Sequence, residues 1–78
     1  PNPFNPTTKI NYSIPSVGFV SLKVYNLLGE EISTLVNRLQ QPGNYSVTFN
    51  GGGHSNGIYI YRLTTNNYTE SKKFVLLK

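Results

Sequence analysis

Apolar and polar residues alternate along most of this chain, and the alternation locates its elements. In residues 8–14, Ile10, Tyr12 and Ile14 fall on one side and Lys9, Asn11 and Ser13 on the other, the period of two of a half-buried strand. Pro15-Ser16-Val17-Gly18 interrupts it. Residues 19–26 resume the pattern, with Val20, Leu22 and Val24 inward and Ser21, Lys23 and Tyr25 outward. These two strands either pair as antiparallel neighbours or face each other across a core. Asn26-Leu27-Leu28-Gly29 reads as a type I turn closed by a glycine in the left-handed region, which makes Gly29 the position least tolerant of substitution. Residues 30–39 fit two periods. Ile32, Leu35, Val36 and Leu39 have helical spacing, but the segment is short and lies between strands, so a strand is expected. After the turn Gln41-Pro42-Gly43, residues 44–50 alternate again with Tyr45, Val47 and Phe49 inward.

The strongest pattern is the last. Residues 57–65 and 68–77 are rich in aromatic and β-branched residues and flank Asn66-Asn67, a pair suited to the positive φ of a two-residue hairpin loop. Pairing through that loop sets Thr65 opposite Tyr68, Tyr61 opposite Lys72 and Tyr59 opposite Phe74. One face then carries Tyr59, Tyr61, Leu63 and Phe74. The other carries Ile58, Ile60, Val75 and Leu77, whereas a sandwich strand normally buries a single side. A bulge near Lys72 and Lys73 would relieve part of this conflict. Otherwise the second face is either sheltered by neighbouring loops or is an apolar docking surface.

Six to seven short strands bounded by Pro, Gly or Asn point to an all-β fold, an immunoglobulin-like antiparallel β-sandwich. Residues 1–7 read as a proline-rich lead-in, with Phe4 available to pin it to the sandwich, and residues 8–78 as one domain.

Composition removes most chemistry. The chain has 78 residues and no cysteine, so it holds no disulfide or thiolate metal site. Glu30, Glu31 and Glu70 are its only acids; two are adjacent and so point to opposite faces of a strand, and no paired-carboxylate or calcium site results. His54, the one histidine, lacks an aspartate to orient it and lies in Gly51-Gly52-Gly53-His54-Ser55-Asn56-Gly57, expected to be a flexible loop with a solvated imidazole. That loop lacks the Lys-Ser/Thr ending of a phosphate-binding loop. No enzyme, metal or cofactor is expected. The formal charge is +4, but the cations are scattered except for Lys72, Lys73 and Lys78, too sparse for a nucleic-acid stripe. No stretch approaches transmembrane length, so direct membrane insertion is not expected. The triplets Asn11-Tyr12-Ser13, Asn44-Tyr45-Ser46 and Asn67-Tyr68-Thr69 read as chance in a chain this rich in Asn, Ser and Thr.

Three segments together carry a family resemblance: Pro1-Asn2-Pro3-Phe4-Asn5-Pro6-Thr7-Thr8; Val20-Ser21-Leu22-Lys23-Val24-Tyr25-Asn26-Leu27-Leu28-Gly29-Glu30-Glu31-Ile32; and Gly57-Ile58-Tyr59-Ile60-Tyr61-Arg62-Leu63 with Lys72-Lys73-Phe74-Val75-Leu76-Leu77-Lys78. In this order they resemble the type A C-terminal sorting domain of the bacterial type IX (Por) secretion system. The chain is also similar to the immunoglobulin-like domain of flagellar hook-capping proteins. The resemblance implies an address rather than an activity: a domain carried behind an N-terminal cargo, folding in the periplasm in transit and directing the cargo to the cell surface or medium. Its implied partners are an outer-membrane translocon or shuttle component and a sortase-like peptidase. The family's terminal signal maps onto Lys72, Lys73, Val75, Leu76, Leu77 and Lys78, and its structural motif onto Phe4, Gly29, Gly57, Tyr59, Tyr61 and Leu63. The loop between Phe49 and Ile58 departs from the family by lacking an Asp-rich turn. Two alternatives stay open, a carbohydrate-binding module using Tyr25, Tyr45 or Tyr68 as stacking platforms and a plain spacer. A weak homodimer through Ile58, Ile60 and Val75 is a further open point.

Overall fold

The computed structural model describes residues 7–78. Residues 1–6 of the lead-in, Phe4 among them, lie outside the described residues, and Thr7 already belongs to the first strand. Six strands follow in order: β1 (Thr7–Ile14), β2 (Gly18–Asn26), β3 (Glu31–Gln40), β4 (Gly43–Asn50), β5 (Gly57–Thr64) and β6 (Thr69–Leu76). They form two antiparallel sheets, β1-β4 and β3-β2-β5-β6. An extent of 16 Å along the shortest axis fits two layers about 10 Å apart. Between β1 and β2, the facing arrangement holds, since β1 pairs with β4 and not with β2.

Alternation explains the core. Ile10, Tyr12 and Ile14 of β1 meet Val20, Leu22, Val36 and Leu63 at one end; Val24, Phe49, Tyr59 and Leu76 fill the other. Tyr61 and Leu35 touch both clusters. Tyr12 is buried, stacks on Tyr45 with ring centroids 5.3 Å apart, and donates its hydroxyl to the buried Gln40 Oε1 at 2.7 Å. A buried amide oxygen that loses its donor costs about 1–3 kcal/mol. Tyr12→Phe is therefore expected to lower stability by about that amount, measured by urea unfolding. Burial also raises the Tyr12 phenol above its ordinary range, against the smaller opposing effects of Gln40 and Arg38. A raised phenol contributes stability that is present below about pH 10 and lost as pH climbs beyond it. Wild type should consequently lose stability more steeply than Tyr12→Phe in that alkaline range.

The β3 strand shows why its sequence was ambiguous. Register shifts fall between Leu22 and Lys23 and between Val24 and Tyr25 in its pairing with β2. Such irregularities break the period of two. Ile32, Leu35 and Val36 can all turn towards the core, while Leu39 is exposed. The β2–β3 turn matches expectation: Gly29 has φ 86° and its N–H donates to the Asn26 carbonyl at 3.0 Å.

The β5–β6 hairpin keeps the expected register, Tyr59 with Phe74 and Tyr61 with Lys72. Its turn is built differently. No described residue other than glycine has positive φ, so Asn66-Asn67 is not a primed turn. Instead Thr65 Oγ1 accepts the N–H groups of Asn67 and Tyr68 at 3.1 and 3.2 Å, beside the backbone bond from the Thr65 N–H to the Tyr68 carbonyl. Side chains also tie this turn to the β1–β2 connection, Ser16 Oγ donating to Asn67 Oδ1 at 3.0 Å and the Tyr68 hydroxyl to the Ser13 carbonyl at 2.6 Å. The register runs unbroken from Gly57–Leu76 to Thr64–Thr69, so the bulge anticipated near Lys72 and Lys73 is absent.

Candidate functional site

As the last member of its sheet, β6 has β5 on one side and no described strand on the other. The Thr65 N–H donates to the Tyr68 carbonyl at 2.9 Å, which fixes the alternation of the ladder that follows. N–H groups of Glu70, Lys72, Phe74 and Leu76 point to β5; those of Ser71, Lys73 and Val75 point to the open side. An edge of this kind is a template for another strand.

Side chains of the terminal segment divide by face. Lys72, Lys73, Val75, Leu77 and Lys78 are exposed, Val75 by 59% and Leu77 by 76%. Leu76 is only 2% exposed and belongs to the core. The residues Tyr59 and Leu63 are likewise buried, Tyr61 and Phe74 half-buried, and Gly57 opens β5 with φ 152°.

The glycine-rich loop after β4 packs closely instead of standing free, contrary to expectation. His54 stacks on Phe49 at 5.6 Å and is half-buried, so its imidazole is not simply solvated. The Tyr59 hydroxyl donates to the Ser55 carbonyl, and the Lys78 N–H donates to Asn56 Oδ1 at 2.9 Å. Gly51 lies under Leu76, where an added Cβ would come 2.4 Å from Leu76 Cδ1. The absence of a side chain at Gly51 thus seats the terminal strand. Composition alone hides this, because a glycine run signals both freedom and close approach.

Outside the core, Ile58, Val75 and Leu77 form an exposed apolar corner, and Ile60 beside them is half-buried. Neighbouring loops do not shelter that corner. Lys73 pairs with Ile60 across the ladder and brings a charge to the same face. Among the described residues the one ion pair is Lys23 Nζ with Glu31 Oε1 at 3.1 Å. Lys23 and the Thr34 hydroxyl hold the Glu31 carboxyl below the usual carboxylate range. Lys72, Lys73 and Lys78 remain uncompensated by any ion pair with described residues.

The three tyrosines proposed as stacking platforms do not form one row. Tyr25 is half-buried and covered by the Arg62 guanidinium at 4.9 Å; Tyr45 gives a ring face to Tyr12; Tyr68 sits in the β5–β6 turn. A depression of about 450 Å³ lined by Tyr12, Tyr45, Asn11, Ser13, Asn44 and Ser46 lies on the two-stranded sheet. Among the described residues no group of three His, Asp or Glu side chains could hold a metal ion.

The family model described as "Secretion system C-terminal sorting domain" matches residues 1–77. The chain belongs to this family. No curated protein and no solved structure matches it. The sorting domain therefore acts as a C-terminal signal for type IX secretion, working with that machinery on an N-terminal cargo that is exported to the cell surface or the medium. Its family is one of signals rather than catalysts. Sequence reasoning did not single out the exposure of Leu27 and Leu28, the central residues of the β2–β3 turn. Turn geometry was the available signal, since central turn residues point away from the sheet.

Proposed function

We propose that the sorting domain is read through β6: an extended segment of the outer-membrane translocon or its shuttle component adds to the open edge, while Val75, Leu77, Lys72, Lys73 and Lys78 select it. The edge of β6, which pairs with no described strand on its open side, supports this reading most directly. Lys72 and Lys73 occupy the middle of the edge and project to opposite faces. Antiparallel pairing of two β6 strands about their centre would bring lysine against lysine, which disfavours a homodimer through this edge. An acidic strand would instead find a cation on each face. Leu76 contributes from beneath by fixing the strand to the core. The edge exists only in the folded domain, so the sandwich forms in the periplasm in transit, before a sortase-like peptidase separates it from the cargo.

Ser71→Pro tests edge addition. The Ser71 N–H points to the open side, so proline removes a donor there while sparing the β5–β6 ladder, as edge strands tolerate. The variant should stay folded, with a melting temperature within a few degrees of wild type, and lose export of a fused cargo. Wild-type export by the folded variant would overturn strand addition.

A further inference from the structure

Two leucines crown the β2–β3 turn, Leu27 at 60% and Leu28 at 85% exposure. Their turn is firmly held. Asn26 Oδ1 accepts the N–H groups of Leu28 and Glu30, each at 3.0 Å, and Asn26 Nδ2 donates to Glu30 Oε1 at 2.7 Å. With Gly29 closing the turn at φ 86°, the leucines are presented in one arrangement and need little ordering on contact.

Register places this tip beside the terminal signal. Asn26 pairs with Tyr59, and Tyr59 with Phe74. The next residue, Leu27, is therefore level with Ile58 and Val75, and all three are exposed. Leu77 follows Val75 on the same face of the strand. From β2 to β6 is two strand spacings, about 10 Å, so the tip and the end of β6 fall within the reach of one binding surface. Phe19 and Leu39, also exposed, pair at the opposite end of the sheet and do not belong to this group.

We propose that the Leu27-Leu28 tip is a second contact for the receptor that reads β6, entering an apolar pocket on the same protein; this rests on the reading of β6 given above. Charge indicates the chemistry of that partner. Glu30 stands beside the leucines, whereas Lys73 and Lys78 border Val75 and Leu77. A protein surface can set a basic group against the first and acidic groups against the others. An anionic bilayer would attract the lysines but repel the glutamate at the very tip.

The test is export of a fluorescent protein fused ahead of the sorting domain in a host with an intact type IX system, comparing wild type, the double variant Leu27→Asn/Leu28→Asn, and Phe19→Ser. Asparagine suits the turn, so the double variant should melt within a few degrees of wild type. At least a tenfold fall in its export, with Phe19→Ser at wild-type level, is the expected result. Equal export of wild type and the folded double variant would overturn the second contact and leave the β6 reading intact. Failure of wild type itself to be exported would overturn the β6 reading, and this inference with it. Binding of wild type, but not the double variant, to phosphatidylglycerol vesicles would overturn the protein partner in favour of a lipid surface. A concentration-dependent dimer of wild type lost in the double variant would assign the tip to a second copy instead.

Discussion

Leu76→Ala is expected to destabilise the sorting domain by about 2–5 kcal/mol, the cost of a large-to-small change in a closed core. Leu76 is among the most buried side chains, packs with Val24, Phe49 and Tyr59, and fills the space that Gly51 leaves open. Domains of this size have only about 5–15 kcal/mol in total, so the loss is a large fraction of stability. Urea unfolding should show a lower midpoint with an unchanged slope. Its neighbour supplies the control. Leu77 is exposed, and Leu77→Ala should change stability by less than about 0.5 kcal/mol. Equal stabilities for the two variants would contradict the assignment of Leu76 to the core. One consequence concerns truncation: removing residues 72–78 would take Phe74 and Leu76 out of the core with the exposed signal, so lost export would report misfolding as readily as lost recognition.

Lys72→Glu/Lys73→Glu is expected to abolish most export, by at least tenfold, while leaving the fold intact. Both side chains are exposed and neither makes an ion pair with a described residue, so exchanging them should move stability by less than about 0.5 kcal/mol. At the receptor the effect is larger, because like charges juxtaposed in an interface cost several kcal/mol. Retained export by this folded variant would show that the edge is not selected by charge. The conservative pair Lys72→Arg/Lys73→Arg keeps the charge and should be exported normally.

How far the chain could be read without coordinates depended on whether its period of two was intact. In β1 and β2 the alternation is clean, and Ile10, Tyr12, Ile14, Val20, Leu22 and Val24 are all buried as expected. Irregular pairing of β3 with β2 disturbed the period and produced a false helical spacing. The Asn66-Asn67 turn misled for a different reason: asparagine permits positive φ, but the Thr65 hydroxyl supplies another closure that needs none. Leu76 was within reach of register alone. Pairing Tyr59 with Phe74 puts Leu76, two residues on, on the same inward face. The packed His54 loop was not within reach, because its contacts with Phe49 and Leu76 join segments that no local pattern connects.

Export of a fluorescent protein fused ahead of residues 1–78, measured in a host with an intact type IX system and in a mutant lacking its translocon, decides whether this domain is sufficient as a sorting signal. A sufficient signal gives fluorescence at the surface or in the medium of the intact host alone. Retention inside the cell in both hosts would contradict it.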